Sequence, residues 1–274
     1  MNQPHTESGN ASPRRSPPAD LLLPLAVLTL LLLVWQAVVS LFRISPVLFP
    51  SPLLVLQAVW KIRWQLSEAT LRTAAAAASG LAMGICTGTL TAFAFSQSAA
   101  VRRAFYPYAV LLQTVPIIAI APIVIVTLGR GFLSVTLVAA ILSLFPIITN
   151  TTTGLLQVDG NLQDLFRLNH ATRWQTLIHL RVPAALPYLL SGIRISSGSA
   201  IVGAIVGEFF VGSGTPGLGA LIQRKSASLV LSELYAVVLI STLLGTLAFG
   251  GISVAGEWVL RRWFGMSLSE ARRS

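Results

Sequence analysis

Residues 164–187 read DLFRLNHATRWQTLIHLRVPAALP and interrupt a chain that is otherwise strongly apolar. Thr172 and Gln175 have the spacing of a capping box, which opens a helix. Upstream, Asn161 can cap another short helix, with Asp164 at its third position. The stretch therefore predicts two short helices joined by a break, and we call residues 161–183 the elbow.

The break between the two helices is predicted at Asn169 and His170. Both residue types are enriched in the left-handed backbone region, so one of the two is expected there. The second helix is expected to end near Arg181, because the residue before Pro183 is steered away from helical geometry. Pro187 suits the first turn of the helix that follows.

The composition outside the elbow indicates a membrane protein. Of 274 residues, 54% are hydrophobic and 10% are charged, whereas an ordinary soluble domain has about 25% charged residues. A membrane-spanning helix needs about 20 predominantly apolar residues. We therefore expect an all-α membrane domain over residues 19–264, with the elbow between its fourth and fifth transmembrane helices. The six expected spans are residues 21–42, 73–97, 104–128, 133–155, 187–209 and 234–258.

The net charge of +10 is explained by topology, because basic residues concentrate in cytoplasmic segments of membrane proteins. A cytoplasmic N-terminus places 11 basic side chains inside and 7 outside, with Arg194 near the inner face. Both termini and the elbow are then cytoplasmic, and no nucleic-acid partner is expected. Residues 1–18 are expected to form a disordered cytoplasmic tail, and residues 265–274 a second tail.

Small residues recur at helical spacing in two of the expected spans. Residues four apart lie on one side of a helix, and small ones let a neighbouring backbone approach closely within a bilayer. Two such faces predict a compact bundle. The expected packing residues are Gly80, Gly84, Gly88, Ser199, Gly203 and Gly207.

Prolines interrupt the third and fourth spans and free backbone carbonyls that must find other partners. Nearby polar side chains are candidates for lining a substrate pathway, although kinked packing is the alternative. These candidates are Gln113, Thr114, Asn150 and Thr151, together with the proline Pro116 itself.

Glu208 is an acidic residue near the outer end of the fifth span, where an ionisable group is costly. It is a candidate for an outer gate or for contact with a partner. The plainer alternatives are that its side chain extends to the interface or that it forms an ion pair with Arg224 or Lys225.

The elbow resembles the EAA loop of bacterial ABC-importer permeases, whose pattern is E-A-A, three residues, G, nine residues, I, one residue, L-P. The pattern positions fall, in chain order, on Asp164, Leu165, Phe166, His170, Leu180, Val182 and Pro183. Spacing is kept, but His170 replaces glycine, and Leu165 and Phe166 replace small residues. The segments LFPSPLLVLQAV (48–59), LLQTVPIIAIAPIVIV (111–126) and FPIITNTTTGL (145–155) also resemble this family, as do residues 173–210.

The resemblance extends over residues 20–264 and is greatest to permeases for nitrate, alkanesulfonate, taurine and thiamine precursors. It implies a pore subunit of the bacterial inner membrane that forms a homodimer and receives substrate from an extracytoplasmic binding protein. A separate ATPase subunit would bind ATP, so no catalytic residue or cofactor is expected on this chain. The docking residues that the resemblance implies are Asp164, Arg167, His170, Ala171, Thr172, Arg173, Trp174 and Pro183.

Other functions have less support in the sequence. The only lysines, Lys61 and Lys225, follow Trp60 and Arg224, so no phosphate-binding loop is present. Three histidines and a single cysteine show no metal-ligand spacing, and no metal site is expected. An ion-gradient-driven secondary transporter is the remaining alternative, but the sequence shows neither internal repeats nor ionisable residues near the bilayer midplane.

Overall fold

The computed structural model describes residues 17–212 and 217–264, and all regular secondary structure within them is helical. The two expected tails, apart from Pro17 and Pro18 at the start of the first helix, lie outside these ranges. The helices are α1 (Pro17–Leu41), α2 (Pro52–Lys61), α3 (Arg63–Gln97), α4 (Ala99–Thr114), α5 (Ile117–Leu128), α6 (Phe132–Leu156), α7 (Gly160–Leu168), α8 (Arg173–Thr176), α9 (Val182–Val211), α10 (Leu218–Ala227) and α11 (Leu231–Phe264).

Five of the described helices are long and apolar enough to cross a membrane. They include α1, α3, α6 and α11, and the fifth runs without a break from Arg173 through α9 to Val211. The third expected span, residues 104–128, is not a straight helix, because α4 and α5 meet at an angle of 98°. The fold is thus an all-α membrane architecture with five unbroken candidate spans and one bent pair.

The bend between α4 and α5 lies at Val115 and Pro116, both of which have extended backbone geometry. Pro116 has no N–H to donate, and its ring disfavours helical geometry at Val115. The span expected over residues 104–128 is therefore a bent pair of helices, interrupted at one of the prolines that the sequence places in it. Pro107 and Pro122 remain inside α4 and α5.

At the centre of the bundle, α6 packs against both α3 and α9. Glycines make this packing close: a Cβ built on Gly80 would lie 2.5 Å from Cβ of Ala139, and one on Gly203 would lie 2.7 Å from Cα of the same alanine. Gly88 approaches Ile147 in the same way, at 2.9 Å. Gly84 lies against Ser143, and Gly207 against Val135.

Ser199 is only half-buried, whereas Ser196 and Ala200 are buried. The contact face of α9 therefore passes beside Ser199, because steps of three and four residues back from Gly203 reach Ala200, Ser196 and Gly192. The Ser196 hydroxyl donates to the backbone carbonyl of Ser143 at 2.7 Å. Ser199 was expected on this face, but its place there is taken by the next residue, Ala200.

One end of the bundle is joined by an ionic cluster around Glu233 at the start of α11. Its carboxylate contacts Nζ of Lys61 at 3.0 Å and Nζ of Lys225 at 2.5 Å. The three side chains belong to α11, α2 and α10, so the cluster holds the peripheral helices to the last span.

Candidate functional site

The elbow begins with a side-chain cap on α7, but at a different residue from the one expected. The carboxylate of Asp159 accepts a hydrogen bond from the backbone N–H of Asn161 at 2.9 Å, and Asp159 is the N-cap. The prediction of Asn161 as the cap was wrong because an equally good capping residue lies two positions earlier. The helix consequently starts at Gly160.

At its other end, α7 closes in a Schellman motif. His170 has φ 53°, which confirms the predicted left-handed backbone at the break. The N–H of His170 donates to the carbonyl of Arg167 at 3.0 Å, and the N–H of Ala171 donates to that of Phe166 at 3.0 Å. These are the two hydrogen bonds that define the motif.

The second helix opens with the predicted capping box. The backbone N–H of Gln175 donates to the Thr172 hydroxyl at 3.2 Å, and the Gln175 side chain accepts from the Thr172 N–H at 2.8 Å. Two local motifs of different kinds therefore fix the geometry of the turn between α7 and α8.

The second helix does not end at Arg181, contrary to expectation. A π-helical turn over Leu177–Arg181 joins α8 to α9, and the N–H of Val182 donates to the carbonyl of Leu177. This wider turn lets the chain pass Pro183 without a full break, because proline provides no N–H and its ring needs room. The helix end expected before Pro183 is thus replaced by a continuous helix.

The elbow is anchored to the bundle at its second half. Leu177 and Leu180 are buried, and Leu177 packs with Ala92 of α3 and Leu155 of α6. Nη1 of Arg181 donates to the backbone carbonyl of Ser96 at 3.1 Å. Apolar packing and one charged hydrogen bond therefore hold this segment against the ends of α3 and α6.

The outer surface of the elbow is apolar and exposed. Leu168 is 78% exposed and Trp174 is 71% exposed, and Leu165 and Ile178 are exposed beside them. Large exposed apolar side chains that are held in place by capped helices are typical of a protein–protein contact. Asp164 and Arg167 pair at 3.2 Å on the same exposed surface, whereas Ala171 and Pro183 are half-buried.

The pathway candidates lie in separate places in the chain. Gln113, Thr114 and Pro116 are exposed at the bend between α4 and α5. Asn150 and Thr151 lie on α6, where Nδ2 of Asn150 donates to the carbonyl of Pro146 at 2.7 Å and Thr151 is buried. The side-chain amide of Asn150 thus bonds a backbone carbonyl one turn earlier in its own helix, α6.

Glu208 is 3% exposed and does not pair with Arg224 or Lys225, so the expected ion pair was wrong. Its carboxylate accepts from the Thr73 hydroxyl at 2.8 Å and from the N–H of Gly219 at 3.0 Å. Lys225 instead pairs with Glu233. Sequence reasoning missed Thr73 because its partner is on a distant helix and no local pattern identifies it.

The geometry defines a helical membrane protein with an anchored, exposed two-helix elbow, and sequence comparison identifies its class. A family model for the binding-protein-dependent transport system inner membrane component matches residues 84–262. The chain therefore belongs to this family of ABC-transporter permeases.

Three transport permeases of other bacteria are similar to this chain over most of their own length. The riboflavin transport system permease protein RibX of Chloroflexus aurantiacus is 33% identical over 86% of this chain and 88% of its own. The formylaminopyrimidine transport permease protein ThiX of Halalkalibacterium halodurans is 33% identical over 88% of this chain and 95% of its own. The nitrate import permease protein NrtB of Synechocystis is 26% identical over 82% of this chain and 84% of its own.

Proposed function

We propose that this chain is the pore subunit of an ATP-driven importer in the bacterial inner membrane and that its elbow docks the ATPase subunit. Two copies form the substrate pathway, with both termini and the elbow in the cytoplasm. The ATPase subunit binds the ATP, and this chain carries no cofactor of its own. An extracytoplasmic binding protein delivers the substrate to the opposite side.

The observation that carries the docking proposal is the form of the elbow surface. The Schellman motif at His170 and the capping box at Thr172 fix the backbone. Burial of Leu177 and Leu180 then leaves Leu168 and Trp174 directed away from the bundle. Fixed apolar side chains lose little conformational entropy on binding, which favours their use as a docking surface.

The proposed substrate is a small solute, and the relatives narrow its class. Relatives that are 33% identical have names that refer to riboflavin and formylaminopyrimidine, whereas the nitrate relative is 26% identical. We therefore rank a heteroaromatic compound such as a thiamine precursor first, ahead of nitrate, an alkanesulfonate or taurine. Mass spectrometry of the ligand that co-purifies with the cognate binding protein tests this ranking.

Reconstituted transport tests the proposed mechanism. We expect uptake into proteoliposomes to require this chain, its ATPase, its binding protein and ATP on the ATPase side. Omission of any one of them should abolish uptake. Uptake by this chain alone, driven by an ion gradient without ATP, would instead establish a secondary transporter.

A further inference from the structure

A polar cavity of about 450 Å³ lies between the end of α3 and the elbow. Three guanidinium groups line it, and its described lining contains no carboxylate. The polar side chains of its lining include those of Ser96, Gln97, Gln163, Arg167, Arg173 and Arg181. The cavity is thus rich in hydrogen-bond donors and positive charge.

The positive charge of this cavity is only partly balanced within the protein. Arg167 pairs with Asp164 at 3.2 Å. Among residues 17–212 and 217–264, neither Arg173 nor Arg181 forms an ion pair. Nε of Arg181 is buried and has no hydrogen-bond partner in that same part of the chain. Buried donors are normally satisfied, so this arrangement favours an anionic ligand.

The position of the cavity in the fold indicates where such a ligand would come from. Gln97 is the last residue of α3, and Arg181 is the last residue before α9. Both helices are long and apolar enough to cross a membrane. The cavity therefore lies at the elbow end of both candidate spans, and we expect lipid headgroups near that end.

We propose that this cavity binds a phosphate group, supplied by the headgroup of an anionic phospholipid or by free phosphate. Planar guanidinium groups bind phosphate oxygens through paired, charge-assisted hydrogen bonds. Arg173 and Arg181 contact the phosphate, and Gln97 and Gln163 donate to its remaining oxygens. The proposal goes beyond the transport function and requires only that α3 and α9 span the membrane.

Binding to the purified full-length chain in dodecyl maltoside tests the proposal, with short-chain phosphatidylglycerol, short-chain phosphatidylcholine and inorganic phosphate as separate probes. We expect phosphatidylglycerol to bind about tenfold more tightly than phosphatidylcholine. Arg173→Gln should weaken phosphatidylglycerol binding by about tenfold, since it removes a charged hydrogen bond. Arg103→Gln is the matched control, because Arg103 is an exposed arginine of the neighbouring helix α4 that does not line the cavity.

The two sources of phosphate give different results. Binding of phosphatidylglycerol that millimolar inorganic phosphate does not displace identifies a lipid site. Saturable binding of inorganic phosphate that depends on Arg173 identifies a site for free phosphate. Either result supports the cavity as a phosphate site.

The proposal is overturned if no probe binds, or if Arg103→Gln and Arg173→Gln weaken binding equally. Arg173 donates no side-chain hydrogen bond among the described residues, so its substitution should leave the fold intact, and a thermal melt checks this. Arg181→Gln serves as a second variant and needs the same thermal melt, because it also removes the hydrogen bond to Ser96. Because the assay contains no ATPase, its result is independent of the docking proposal.

Discussion

The hydroxyl of Thr73 connects three helices, because it bonds both the Glu208 carboxylate and the backbone of Leu218. It donates to the Glu208 carboxylate at 2.8 Å and accepts the backbone N–H of Leu218 at 2.9 Å. Thr73 is on α3, Glu208 on α9 and Leu218 on α10. The N–H of Gly219 is a second donor to the same carboxylate, so α10 is fixed to the bundle by a small buried polar network.

We predict that Thr73→Val destabilises the protein by about 1–3 kcal/mol, because it leaves a buried carboxylate and a buried N–H each short of a partner. The thermal unfolding midpoint in detergent measures the effect. Thr73→Ser, which keeps the hydroxyl, should be much closer to the native protein. Thr70→Val is a control, since Thr70 bonds only its own helix, at the carbonyl of Leu66. Equal loss in Thr70→Val and Thr73→Val would contradict the network.

The glycine contacts between α3 and α6 predict a steric effect. Gly80→Ala should destabilise the bundle by about 1–3 kcal/mol, because the added Cβ would lie 2.5 Å from Cβ of Ala139 and 2.7 Å from a backbone oxygen. Gly245→Ala is the matched control, since a Cβ at Gly245 of α11 meets nothing within 4 Å. The control should be neutral or slightly stabilising, because alanine is the better helix former. Thermal unfolding of both variants compares them directly.

The exposed surface of the elbow predicts a loss of partner binding without a loss of fold. Trp174→Ala and Leu168→Asp should each reduce co-purification of the ATPase subunit by about tenfold or more, as expected for apolar anchors of an interface. Trp64→Ala is the control, because Trp64 is 75% exposed at the opposite end of α3. Unchanged ATPase binding in both elbow variants would refute docking at this surface.

The left-handed backbone at His170 predicts that glycine is preferred there. Since a non-glycine residue at positive φ is strained, His170→Gly should stabilise the elbow by about 1 kcal/mol. Hydrogen exchange of the His170 and Ala171 amides, which close the Schellman motif, should become slower. Asn169→Gly should have the opposite effect, because Asn169 has φ −85° and its side chain bonds Leu165. Faster exchange in His170→Gly would contradict this account.

Local signals in the sequence were the most informative about the elbow. The capping box at Thr172 and the break at His170 were predicted correctly because each depends on only a few neighbouring residues. The prolines were harder to interpret. At Pro116 the two neighbouring helices meet at 98°, whereas Pro107 and Pro146 remain inside helices. The residue type alone does not show which proline interrupts a helix.

The remaining differences between the expectations and the structure arise from contacts between distant helices. Glu208 was expected to pair with a nearby cation, but tertiary packing places Thr73 and Gly219 within reach and directs Lys225 to Glu233. The helix end expected at Arg181 failed for a related reason. The burial of Leu177 and Leu180 favours continuing the helix through a π turn over ending it.

The continuous helix from Arg173 to Val211 contains 39 residues and is about 58 Å long. Trp174 lies at its first turn and Glu208 at its last, and the π turn over Leu177–Arg181 joins the two parts without a break in the helix. The elbow and the polar network around Glu208 are therefore connected through a single helix, along which a displacement of Trp174 can reach the start of α10.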